Sequence, residues 1–148
     1  MRAIIQRVAH ANVKVHNQTI GNIKKGFLVF LGVGQEDTQK DLDYLVKKIT
    51  SLRIFEDENE KMNLSLKDVG GELLVISQFT LFANTKKGNR PSFIEAGPPD
   101  ISKDFYKQFI ANCRALGIHT EEGEFGAHME IELLNDGPVT ITLDSKLI

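Results

Sequence analysis

The sequence predicts a single mixed α/β domain, with sheets covered by two helices. Three observations carry that reading. Strand-like runs occupy both ends of the chain, Ala3–His16 at one and Met129–Asn135 with Val139–Asp144 at the other. Two segments, after Thr38 and from Ser102, place apolar residues at helical spacing. Continuous apolar runs precede the first helix and separate it from the second, the pattern of sheet strands alternating with covering helices. At 148 residues, without repeats, linkers or low-complexity tracts, the chain reads as one domain, 1–148, with room for a real core.

Taken in order, Ala3–His16 alternates in part, with Ile5, Arg7, Val13 and Val15 in its pattern, and reads as a long strand or a bulged pair. Asn17-Gln18 signals a turn and Thr19–Ile23 a short return strand. Gly26–Gly34 is continuously apolar and therefore buried on both faces. Its glycines lack the G-x-G-x-x-G spacing of a dinucleotide site. Thr38 reads as an N-cap, followed by Leu42, Leu45, Val46 and Ile49 on one helix face. Leu52–Phe55 is a candidate short strand, Asp57–Lys61 is turn-like, and Leu73–Gln78 is a central strand. Phe82–Pro99 is irregular and long for a compact domain, which points to function. Ser102–Leu116 forms the second helix, stopped by Gly117.

Composition narrows the function classes. Apolar residues make up 41% and charged residues 26%, ordinary values for a soluble globule. No apolar run approaches a membrane span, and Arg2 and Arg7 lie in an alternating pattern with no signal-peptide core behind them. The expected location is the cytoplasm. The one cysteine, Cys113, excludes an internal disulfide and reads as a buried structural thiol beside Phe105, Phe109 and Leu116. A net charge of −2 argues against an extensive nucleic-acid footprint while permitting a local one. The best basic cluster is Lys86-Lys87-Gly88-Asn89-Arg90; Lys24-Lys25 and Lys47-Lys48 are pairs. His10, His16, His119 and His128 show no metal-ligand spacing, so no metal is expected. Ser77 lacks the G-x-S-x-G elbow of a triad hydrolase.

Two segments carry candidate chemistry. Ser77-Gln78-Phe79-Thr80-Leu81 ends the apolar run Leu73–Ile76. Where strand pairing stops, the N–H groups of Phe79 and Thr80 become available as fixed donors of the kind that can hold a developing negative charge. The plainer alternative is a strand end with Phe79 or Leu81 in the core. Asn135-Asp136-Gly137-Pro138-Val139-Thr140 offers backbone: glycine permits close approach of carbonyls, and X-Pro is the common site of a cis peptide. Its plainer alternative is a hairpin turn between two strands.

Together these motifs resemble those of the D-aminoacyl-tRNA deacylase family, also called D-tyrosyl-tRNA deacylases. The resemblance extends in order through Met1-Arg2-Ala3-Ile4-Ile5-Gln6-Arg7-Val8, Leu52-Arg53-Ile54-Phe55, Gly88-Asn89-Arg90-Pro91-Ser92-Phe93 and Phe125-Gly126-Ala127. It implies the same mixed α/β domain, with largely antiparallel sheets covered by two helices in three layers, and hydrolysis of the ester of D-aminoacyl-tRNA at its 3′ end, without a cofactor, by a homodimer. It implies a catalytic segment at Ser77, Gln78, Phe79 and Thr80, with Thr80 either a nucleophile or a binding group. It further implies a cis bond at Gly137-Pro138, inserted into the other subunit's site, where its carbonyls hold the substrate's α-amino group and exclude the L-hand. Glycyl-tRNA, with no side chain to collide, is expected to be accepted to some degree. Arg7 matches a position that steadies the Gly-Pro loop, against the alternative of an exposed strand arginine. Asn89 and His128 depart from the polar residues expected at those positions.

Overall fold

The computed structural model describes all 148 residues. Strand β1 (Arg2–Val15) is its organising element, because it is paired along both edges. Val15 and Gln18 close a tight hairpin through His16 and Asn17, which adopt φ of 49° and 62°. Two successive left-handed residues form the turn whose twist suits a two-residue hairpin, and Asn tolerates that region well. The turn thus lies one residue earlier than Asn17-Gln18. The chain then runs back along β1 as β2 (Gln18–Ile23) and β3 (Gly26–Gly32).

Helix α1 (Gln39–Ser51) follows. At its start the Asp41 carboxylate accepts from the Thr38 N–H at 2.8 Å and the Thr38 hydroxyl at 3.0 Å. Leu42, Leu45, Val46 and Ile49 are buried, the face the spacing predicts. A small hairpin, β4 (Phe55–Glu56) and β5 (Met62–Leu64), leads into a one-turn helix α2 (Leu66–Val69) absent from the sequence reading. Its signal was present: Ser65 and Asp68 cap it reciprocally and Gly70 ends it at φ 62°. Strand β6 (Glu72–Ser77) pairs parallel with β3, and β7 (Thr120–Glu122) pairs parallel with β6. Between them lies α3 (Pro99–Ala115), which opens three residues before Ser102 because Pro99 occupies its first turn, where a missing N–H costs nothing.

The last strand, β8 (Glu130–Asp144), runs antiparallel along the free edge of β1. Both sides of Gly137-Pro138 belong to it, so the segment is not a hairpin turn. Between the pairs Val8–Asn135 and Gln6–Thr140, β1 advances two residues while β8 advances five. The surplus residues leave the ladder as a bulge at Asp136–Val139, and the Gly137-Pro138 peptide within it is cis.

Two cores give the layers. The larger, under α1 and α3, gathers Ile5, Phe27, Val29, Leu45, Ile49, Val75, Tyr106 and Phe109. The smaller lies on the opposite face, where the outer halves of β1, β2 and β8 close over β3 and β6 through Val13, Ile23, Leu28, Leu74 and Ile76. No helix is long and apolar enough to cross a membrane.

Candidate active site

At the carboxyl end of β6 the sheet stops and a cleft of about 510 Å³ opens. One wall is Ile76–Phe79; the others are Ala96-Gly97, the start of α3 at Pro99 and Ser102, and Phe125–Met129. The lining is mainly apolar and contains no lysine, arginine or carboxylate. Gln78 makes the last sheet bond, donating its N–H to the Leu31 carbonyl at 2.8 Å. The chain then enters a short 3₁₀ turn, Phe79–Phe82, closed by Leu81 N–H to the Gln78 carbonyl at 3.3 Å. The Phe79 and Thr80 N–H groups open that turn and so have no partner within it.

The side chains of the turn divide by position. Phe82 is the buried one and packs under the Arg2 guanidinium, 4.4 Å from its ring centre. Arg2 also donates to the Leu81 carbonyl at 2.9 Å and to Asp144 at 3.1 Å, tying the turn to the paired start of β1 and end of β8. Phe79 is 55% exposed and Leu81 only half-buried, so the core alternative for these two does not describe this strand end. The Phe79 ring instead meets Phe93 edge-on at 5.0 Å, at the cleft mouth. The Gln78 amide donates to the Thr80 hydroxyl at 2.5 Å. No histidine or carboxylate contacts Thr80, so nothing here serves it as a base.

Tyr106 ties α3 to the sheet. Its hydroxyl donates to the Val75 carbonyl at 2.7 Å and accepts from the Gly123 N–H at 3.2 Å. Burial, with the nearby Glu122 charge, pushes its pKa well above the usual phenol range, so it stays a neutral donor. Cys113 lies on the buried face of α3 and does not line the cleft, and burial pushes its thiol up to about 12. It is not a nucleophile at neutral pH.

Gly137 and Pro138 are exposed and absent from this cleft; one chain does not bring them to Ser77–Thr80. Arg7, by contrast, is buried and is not an exposed strand arginine. It donates to the Asp136 carbonyl at 2.9 Å and to the Ile54 carbonyl at 2.7 Å, with the Asp136 carboxylate 3.6 Å away. The Asn135 amide spans the base of the bulge, donating to the Arg7 carbonyl at 2.9 Å and the Val139 carbonyl at 3.1 Å. Sequence reasoning did not single out the cleft walls Ala96-Gly97, Ser102 and Phe125–Met129 as site residues. The available hints were the Gly97-Pro98-Pro99 entry to α3 and the Phe125-Gly126-Ala127 run.

The family model described as D-Tyr-tRNA(Tyr) deacylase matches residues 4–144. A D-aminoacyl-tRNA deacylase of Thermosipho africanus is 55% identical over 148 residues, covering 100% of this chain and 99% of that protein. The enzyme of the same name from Fusobacterium nucleatum is 58% identical over 146 residues, covering 99% and 97%. Among solved structures, the c-Myc DNA Unwinding Element Binding Protein is similar with a TM-score of 0.91 and 42% identity, over 97% of this chain and 98% of that one. Agreement of this extent, in sequence and in fold, makes the chain a member of the D-Tyr-tRNA(Tyr) deacylase family.

Proposed function

We propose that this chain hydrolyses the ester linking a D-amino acid to the 3′ end of tRNA, releasing free tRNA and the amino acid. The carrying observation is the end of β6, where the Phe79 and Thr80 N–H groups leave the sheet beside an apolar cleft without a base near Thr80. Such a site suits oxyanion stabilisation better than nucleophilic attack by the protein. In this reading water, assisted by the terminal ribose 2′-hydroxyl, attacks the ester carbonyl. The carbonyl oxygen takes up negative charge facing the two N–H groups. Collapse of the intermediate expels the ribose 3′-oxygen, which takes a proton, and leaves the amino acid's carboxylate. No cofactor enters.

Chirality is assigned to Gly137-Pro138 of a second copy. The bulge is exposed, held at its base by Arg7 and Asn135, and does not line its own chain's cleft. A two-fold dimer would complete each cleft with the other chain's bulge. Its carbonyls would hold the α-amino group, so that an L-side chain collides with backbone while a D-side chain points outward. Rejection by collision leaves side-chain identity free. Glycyl-tRNA would pass the same gate. The setting that fits this reaction is the cytoplasm.

The name of the solved relative favours a second reading, a nucleic-acid-binding protein on this fold. Matched D- and L-tyrosyl-tRNA separate the two. The proposal expects turnover of the D-form with the L-form spared; equal turnover, or binding without turnover, contradicts it. Thr80→Ala is expected to keep measurable single-turnover deacylation, since losing a true nucleophile costs orders of magnitude more. A trapped acyl ester on Thr80 would contradict the backbone-only mechanism.

A further inference from the structure

The loop connecting two walls of the cleft carries three exposed cations at its tip and one carboxylate, Glu95, at its neck. It leaves the 3₁₀ turn at Ala83 and rejoins the cleft at Ala96-Gly97. Its neck is fixed by reciprocal backbone bonds, Asn84 N–H to the Ser92 carbonyl at 2.8 Å and Ser92 N–H to the Asn84 carbonyl at 2.9 Å. The Asn84 side chain accepts from the Lys86 N–H at 3.0 Å, and Gly88 turns the tip at φ 68°. The tip is therefore presented as a formed finger. It exposes Lys86, Lys87 and Arg90. None of the three joins an ion pair; most lysines and arginines of the chain are likewise unpaired, and what sets these three apart is their clustering on one tip beside the cleft. Behind the finger, Phe93 rests on Phe79 at the cleft mouth.

The position of these charges has a chemical logic. An aminoacyl ester brings a cationic ammonium into the cleft while its RNA brings phosphates. Cations inside the cleft would repel the first, and the cleft lining contains no lysine or arginine. Cations that hold the RNA belong outside the cleft but beside it, and the finger places three there on a chain of net charge −2.

We propose that Lys86, Lys87 and Arg90 bind the phosphodiesters of the single-stranded 3′ end of the acylated RNA and so deliver its ester to the cleft. The inference rests on the hydrolase reading above. The test compares wild type with the triple variant K86A/K87A/R90A on two substrates across a potassium chloride series. One substrate is D-tyrosyl-tRNA; the other is the D-tyrosyl ester of adenosine, which has no phosphate. Thermal melting confirms that both proteins are folded. On tRNA the variant is expected to show KM raised tenfold or more at low salt, with kcat unchanged. The slope of log(kcat/KM) against log salt should flatten by about 2, from roughly 0.7 per phosphate contact on a single strand. Turnover of the adenosine ester should not change. An unchanged KM and salt slope on tRNA would overturn the proposal, as would an equal loss on both substrates, which would make the loop a cleft-shaping element. Failure of wild type to turn over either D-ester would instead overturn the hydrolase reading, and this proposal with it.

Discussion

Arg7→Ala is expected to lower the free energy of unfolding by about 2–4 kcal/mol. The guanidinium is buried and serves two carbonyls, those of Ile54 and Asp136. Its removal leaves the buried Ile54 carbonyl without its 2.7 Å donor and frees the base of the bulge. Arg7→Lys should restore little, because one ammonium cannot reach two diverging acceptors as a planar fork does. If the Gly137-Pro138 bulge holds the substrate's α-amino group, kcat/KM should also fall by roughly 100-fold, the scale on which small misplacements act. Urea unfolding and D-tyrosyl-tRNA turnover check the two parts separately. A midpoint unchanged from wild type would show that water replaces the guanidinium without cost.

Gly32→Ala is expected to strike the chemistry and the fold by comparable amounts. A Cβ at Gly32 would stand 2.9 Å from the Gln78 carbonyl oxygen and 3.2 Å from Leu81 Cβ. That oxygen belongs to the same rigid peptide as the Phe79 N–H, so displacing one tilts the other. Gln78 cannot retreat freely, since its own N–H is bonded to Leu31. The expected result is a 10–100-fold drop in single-turnover rate, with a stability loss of about 1–3 kcal/mol. Wild-type rate in a folded Gly32→Ala protein would remove the Phe79 N–H from the mechanism.

Which parts of this molecule were legible in the chain follows from where each signal resides. Helices α1 and α3 announce themselves through local periodicity, since each buries a face that its own spacing defines, and strands β3 and β6 through unbroken apolar runs buried on both faces. Arg7 was legible in a subtler way. It shares its alternation phase with Ala3 and Ile5, the buried face of β1, where a charge is anomalous unless it is bonded. The bulge was not legible locally. Asn-Asp-Gly-Pro reads as a turn, and only pairing of both flanks with β1 makes it a protrusion from one strand. The cleft's far wall, Phe125–Met129, meets β6 only through the tertiary fold, which no nearby residue encodes.

The central place of β1 has a consequence for how this protein is made. Arg2 is bonded to Asp144 across 142 residues of sequence, and β8 covers nearly the whole length of the first strand. During synthesis β1 leaves the ribosome early and waits, with one edge unpaired, until the last strand is translated. Contacts of such long range slow folding and leave an open strand edge at risk of pairing with another chain. The β1–β3 hairpin and the α1 region have the local contacts to form first. Completion of the sheet, and with it the Arg7 anchorage of the bulge, must follow release of β8.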